Sequence, residues 1–228
     1  MSSMDLNPSL LELPVEVADP IYGSKDVMFR DFMCPGVVLS IIFLAAISLT
    51  AISLVTQRKL GQFERCIVSG VPASFLLLAQ LISHFLVVVF QVFCVLFSTF
   101  TLFGISFHGE CIWIFLLCLA QGFCGLSFGL MIASFSKNEI SALMFGLGFF
   151  YPSLLLSGTV WPVESMSPYL QSLTRFMPQT LSIYSLRYMI SRGWGPDRAD
   201  VMDGFISSGA HSLIYCIIAC VVFKCFKV

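Results

Sequence analysis

Five stretches of this chain are too long and too apolar to be covered by a water-soluble surface. Residues 36–56 carry no charged side chain and stop at Gln57, Arg58 and Lys59. Residues 73–107 hold His84 as their only ionisable group apart from Cys94. After the polar break His108-Gly109-Glu110, residues 111–135 are again apolar. A tight Ser136-Lys137-Asn138-Glu139 turn leads to residues 140–160, and a last run, 205–223, is closed by Lys224 and Lys227. A bilayer core needs about 20 apolar residues per helical span, and each run is near or above that length. The run 73–107 exceeds the core thickness, so it is expected to tilt or project beyond it. In lipid the backbone must satisfy its own hydrogen bonds, which for these runs means helices. The fold class is therefore an all-α polytopic transmembrane domain of about five spans, occupying residues 36–228 and preceded by an acidic tail, 1–35.

Composition agrees with the pattern. The hydrophobic fraction is 57%, the charged fraction 11% and the mean hydropathy +0.92, against roughly 25% charged residues in soluble domains. A net charge of −1 offers no basic surface for nucleic acid. The nine cysteines form no CxxC pair; Cys94, Cys118, Cys124, Cys216 and Cys220 sit inside apolar runs as small hydrophobes. Cys34 and Cys111, near span ends, could pair in an oxidising compartment.

The tail carries Asp5, Glu12, Glu16, Asp19, Asp26 and Asp31, broken by Pro8, Pro14 and Pro20, and lacks the basic start and apolar stretch of a cleaved signal. Arg58, Lys59 and Lys137 flank span ends in tight loops, which places these loops and the C-terminus in the cytosol and the tail outside. An odd span count with this tail suggests that a preceding span belongs to the complete protein.

No catalytic constellation is visible. Glu110, Glu139 and Glu164 lie at or beyond span ends, so ion-coupled carriage through an intramembrane carboxylate is disfavoured. There is no metal-ligand motif and no GxxxxGK[ST] loop to cradle phosphates. The chain is not expected to bind ATP, magnesium or another cofactor by itself.

Four local patterns remain. In the loop 57–72, Leu60, Phe63, Ile67, Val68 and Val71 recur at helical spacing beside Arg58, Lys59, Glu64 and Arg65, as in a short amphipathic helix at the membrane surface ended by Pro72. It serves either as an interfacial anchor or as a docking helix. Gln80, His84, Gln91 and Ser98 form one narrow stripe, suited to interhelical hydrogen bonds or to a translocation path. Gly122, Gly125 and Gly129 mark a closely packed helix face, while Gly146, Gly148, Pro152 and Gly158 loosen the fourth run. Residues 161–204 hold two amphipathic stretches, 169–177 and 183–189, read as short helices dipping into the outer leaflet.

Together these pieces resemble a known family. The stretch Leu60-Gly61-Gln62-Phe63-Glu64-Arg65-Cys66-Ile67-Val68-Ser69-Gly70-Val71 resembles the cytosolic coupling helix of the ABCG/ABCH-type half transporters. Leu156-Ser157-Gly158, Trp161-Pro162-Val163-Glu164-Ser165-Met166, Pro178 and Leu186-Arg187 resemble that family's re-entrant exoplasmic region. Asp19-Pro20-Ile21-Tyr22-Gly23-Ser24 and Asp31-Phe32-Met33-Cys34-Pro35-Gly36 resemble the end of its long exoplasmic loop. The resemblance implies the C-terminal part of a permease domain, in a dimer with the same or another half transporter. It implies ATP and magnesium on a partner nucleotide-binding domain, contacted through Arg58, Glu64 and Arg65. Export of amphipathic or lipid-like substrates across the plasma membrane would follow. Neither the ATPase domain nor the family's first span is found in this sequence. The alternative is a truncated, non-conducting membrane protein that dimerises with full-length transporters and regulates them.

Overall fold

The computed structural model describes residues 29–101, 104 and 109–225; the tail motif at 19–24 lies outside them. Every regular element among the described residues is helical. In chain order they are α1 (Phe29–Lys59), α2 (Gln62–Val68), α3 (Ala73–Thr101), α4 (Cys111–Phe135), α5 (Glu139–Leu156), a 3-10 turn (Val163–Ser165), α6 (Pro168–Thr174), α7 (Thr180–Arg192) and α8 (Ala199–Cys225). Five of them, α1, α3, α4, α5 and α8, are long and apolar enough to cross a membrane.

α4 is the hub, packed against α1, α3, α5, α7 and α8. It reaches its main neighbour α1 through the small-residue face. A Cβ on Gly125 would stand 2.8 Å from the Phe43 carbonyl oxygen, and one on Gly129 would stand 2.8 Å from that of Ile47. A Cβ on Gly122 would meet the Val88 side chain of α3 and lie 3.2 Å from Ile42 Cγ2. Without side chains at these points the backbones approach closely, and dispersion contacts accumulate where lipid offers no hydrophobic driving force. Leu39, Ile42, Phe43, Ile47, Leu117 and Leu126 are almost fully enclosed around this seam. By contrast, α3 leaves Phe75, Leu78, Ile82, Leu86, Phe90 and Phe93 exposed, as a lipid-solvated face requires.

The bundle has two distinct ends. At one, Arg58 of α1 meets Ala133 of α4, Lys59 meets Glu139 of α5, and Phe63 of α2 stacks near Phe223 of α8. At the other, Arg187 of α7 meets Phe32 of α1 and Gly158 beyond α5. The five long helices therefore alternate in direction.

Several boundaries differ from the hydropathy reading. α1 begins at Phe29 rather than at 36, running through Pro35. Cys34, Pro35 and Gly36 are buried there, with Gly36 pressed against Thr159, so packing holds the helix across a residue that lacks an N–H donor. α3 is described as far as Thr101, and Gly104, with φ +60°, stands outside a right-handed helix; the other residues of the run up to 107 lie outside the described residues. α8 starts at Ala199, ahead of 205, with Asp200 and Asp203 in its opening turns. Ser185 holds that start from α7, accepting the Gly204 N–H at 3.1 Å and donating to the Asp200 carbonyl at 2.8 Å. Hydropathy marks where lipid begins; helices extend past it wherever neighbours or water satisfy their ends. Cys34 and Cys111 are both free thiols.

Candidate functional site

The end carrying α2 holds most of the residues singled out in the sequence. α1 closes through Gly61, whose φ of 68° is a left-handed conformation that suits glycine. α2 then runs for seven residues with Phe63 as its anchor. Phe63 is 4% exposed and its ring lies 5.8 Å from that of Phe223. The broad apolar face expected over 60–71 is not formed: Val68 is 88% exposed and Leu60 and Val71 are also exposed. A helix of two turns reaches the bundle through buried Phe63 and, less deeply, through half-buried Ile67. Glu64 and Arg65 are exposed on it, and neither has an ion pair among the described residues.

Arg58 behaves differently from those two. Its Nη1 donates to the Ala133 carbonyl at 2.7 Å and its guanidinium lies 5.6 Å from the Phe223 ring centroid. It braces α1 against α4 and α8 within the chain instead of projecting outward. Lys59 Nζ lies 3.3 Å from Glu139 Oε2, while Thr56 Oγ1 donates to Glu139 Oε1 at 3.1 Å.

The polar stripe on α3 divides in two. Gln80 and His84 are buried and face α1. Gln57 Nε2 donates to Gln80 Oε1 at 3.0 Å, and Gln80 Nε2 donates to Ser53 Oγ at 2.9 Å and lies 3.2 Å from His84 Nε2. This half is an interhelical hydrogen-bond cluster. Gln91 is half-buried, and Ser98 donates to its own helix at the Cys94 carbonyl, 2.8 Å away. Ser98 also borders an almost wholly apolar cleft of about 490 Å³ between α1 and α3.

The opposite end gathers the remaining residues. α7 is tucked among α8, α1 and α4, with Ile183, Leu186 and Met189 buried. Arg187 Nη2 donates to the Gly158 carbonyl at 3.0 Å and to the Phe32 carbonyl at 3.3 Å, and its guanidinium lies 4.0 Å from the Phe32 ring centroid. Tyr184 donates to Glu164 Oε1 at 3.0 Å. Burial, followed by that hydrogen bond, pushes the Tyr184 phenol up to about 12. Gly158 has φ +82° and ends the chain segment after α5. Trp161 and Pro162 are exposed, Pro178 is buried, and α6 leaves Tyr169 and Leu173 exposed. The two short helices fall at Pro168–Thr174 and Thr180–Arg192, the second being longer than its amphipathic stretch.

One network was not visible in the sequence. Ser208 of α8 donates to Gln121 Oε1 of α4 at 2.9 Å and shares a hydrogen bond with Ser182 of α7 at 2.8 Å. Nearby, Ser127 and Ser212 approach to 2.9 Å. Isolated serines in apolar runs carry little periodic signal, so only the three-dimensional packing brings them together. Among the described residues no three His, Cys, Asp or Glu side chains cluster as metal ligands.

Comparison with known proteins matches this arrangement to a family of membrane transport components. The family model described as ABC-2 type transporter matches residues 19–190. ABC transporter G family member 20 of Dictyostelium discoideum is 29% identical over 194 residues, covering 85% of this chain and 27% of that protein. The probable multidrug ABC transporter permease YbhS of Escherichia coli is 24% identical over 195 residues, covering 85% of this chain and 52% of its own length. The linearmycin resistance permease protein LnrN of Bacillus subtilis is 28% identical over 141 residues, covering 62% of this chain and 36% of its length. The chain thus spans about half or less of the length of these relatives. With five apolar helices around a glycine-packed hub and a family match over most of its length, the chain belongs to the ABC-2 type transporter family and is a multi-pass membrane permease domain.

Proposed function

We propose that this chain forms the membrane half of an ATP-driven exporter of amphipathic or lipid-like substrates, with ATP and magnesium bound by a partner nucleotide-binding domain. The observation that carries the reading is α2, a short helix held to the bundle by Phe63 while Glu64 and Arg65 stand free beyond the span ends. α1 connects that docking surface to the far end, where Phe32 sits against Arg187. At 1.5 Å per residue α1 is a rod of about 46 Å, a length that carries a push from one membrane face to the other. The working unit in this reading is a homodimer or a heterodimer with another half transporter, in the plasma membrane. The resemblance of the coupling-helix sequence supports the ATPase partner, and the multidrug permease among the relatives supports the substrate class.

The test is Glu64→Lys in the assembled, ATPase-bearing transporter. Truncating one partner of a buried, hydrogen-bonded charge pair costs about 2–5 kcal/mol, so reversing its charge should lower transport at least tenfold. Membrane insertion should stay normal, since Glu64 is exposed and makes no contact within the bundle that insertion needs. Unchanged transport by the Glu64→Lys protein would remove α2 as the coupling element.

A further inference from the structure

The α2 end of the bundle holds a small polar pocket that borders the docking helix, with Glu64 of the docking pair on its wall. Its volume is about 250 Å³ and its walls are Val55, Arg58, Lys59, Phe63, Glu64 and Lys137. Three cations therefore face one carboxylate across the mouth. Their compensation is uneven. Lys59 is paired with Glu139. Arg58 is satisfied only by neutral groups, the Ala133 carbonyl and the Phe223 ring. Lys137 is exposed and has no ion pair among the described residues.

The pocket's depth relative to the membrane follows from the same residues. Val55, Arg58 and Lys59 belong to the last turns of α1, and Lys137 to the turn joining α4 to α5. These are the places where two apolar spans leave the hydrocarbon, so the pocket opens at the level of lipid headgroups. Arg65 lies at the same end of the bundle, so Arg58, Lys59, Arg65 and Lys137 outnumber Glu64 and Glu139 there. Basic pockets between spans at this level bind the head groups of anionic lipids, each nearby Lys or Arg adding to the attraction. Arg58 and Lys137 are donors without a carboxylate, and the apolar edge made by Val55 and Phe63 offers a surface for the first acyl carbons.

We infer that this pocket binds the phosphate of an anionic phospholipid in the leaflet that surrounds α2, with Lys137 and Arg58 as its charge partners. The bound lipid bridges α1 to the α4–α5 turn beside the docking helix. Occupancy of the pocket would thus tie the position of α2 to the lipid composition of that leaflet.

The experiment uses the full chain in detergent or nanodiscs, titrated with phosphatidic acid, phosphatidylcholine or inorganic phosphate and read by native mass spectrometry and thermal unfolding. Phosphatidic acid should bind and raise the melting temperature, and phosphatidylcholine should not. Lys137→Gln should weaken phosphatidic acid binding about fivefold, the effect of one basic residue near an anionic surface. Lys137→Arg should restore it, and Lys137→Glu should weaken it further. Because Lys137 is exposed and has no ion pair among the described residues, these variants should insert normally. Equal binding of inorganic phosphate and phosphatidic acid would overturn the lipid assignment in favour of a free-anion site. Unchanged phosphatidic acid binding by Lys137→Glu would overturn the site itself. Lost assembly with a nucleotide-binding partner, with lipid binding intact, would assign the pocket to an acidic protein surface and likewise overturn it.

Discussion

Leucine at Gly125 or Gly129 is expected to take the bundle apart. The obstacle at each position is backbone. A new Cβ at residue 125 would sit 2.8 Å from the Phe43 carbonyl oxygen and 2.9 Å from Ala46 Cβ. At residue 129 it would sit 2.8 Å from the Ile47 carbonyl oxygen and 2.9 Å from Thr50 Cβ. Side chains rotate out of the way at small cost, but a helix backbone yields only if α1 moves bodily off α4. Overpacking in a well-filled core costs typically about 1–3 kcal/mol. Separating two helices along a shared seam falls at the upper end or beyond, because every contact around Ile42, Phe43 and Ile47 loosens together. The expected outcome is loss of the monodisperse species in detergent and of a cooperative melt. Gly148→Leu is the internal control. Nothing lies within 4 Å of a Cβ there, and leucine is the better helix former. That variant should melt within about 0.5 kcal/mol of the parent. A Gly125→Leu protein that melts like the parent would mean that α1 and α4 do not meet at this seam.

The contrast between those glycines shows which parts of the architecture the sequence makes legible. A GxxxG step in an apolar run announces a close approach, yet not its partner; that α1 supplies it depends on the folding of residues far away in the chain. The five spans were readable because lipid imposes a minimum apolar length on each. Their ends were not, because hydropathy says nothing of Thr159 closing on Gly36 or of Ser185 bridging the Asp200 carbonyl and the Gly204 N–H in the opening turns of α8. At the candidate docking site, Phe63 and the exposed pair Glu64 and Arg65 follow from helical spacing. Arg58 could not be told apart from them by sequence. Only its geometry, turned inward to Ala133 and Phe223, makes it a brace within the bundle. The polar stripe on α3 shows the same limit. Four residues at one angular position divide into a buried cluster at Gln80 and His84 and a more open half at Gln91 and Ser98, according to what α1 presents opposite them.

Removing Arg187 should release the far end of the molecule. Its side chain joins three segments, α7, the start of α1 and the turn after α5, at their common end. Two hydrogen bonds run to the Gly158 and Phe32 carbonyls, and the guanidinium faces the Phe32 ring at 4.0 Å and the Tyr184 ring at 5.4 Å. Burial lowers the affinity of this guanidinium for its proton, but arginine starts so high that it stays charged at any working pH. Hydrogen bonds from a charged donor contribute about 1.5–3 kcal/mol, and cation–π contacts of this kind about 0.5–2 kcal/mol. Since these terms overlap, Arg187→Ala is expected to cost about 3 kcal/mol of stability. The start of α1 should then become open to protease and to hydrogen exchange before the rest of the bundle. Arg187→Lys keeps the charge but loses the planar fork and the stacking face, and should recover less than half of the loss. The Tyr184 phenol, raised to about 12 from an ordinary value of 10.0, adds a pH signature. Its neutral form is favoured in the folded protein, so its contribution is fully present below pH 10.0 and disappears as the pH climbs toward 12. Tyr184→Phe should flatten that alkaline decline while leaving stability at neutral pH within about 1 kcal/mol of the parent. Protection of α1 in the Arg187→Ala protein equal to that in the parent would show that α7 holds this end by apolar packing alone.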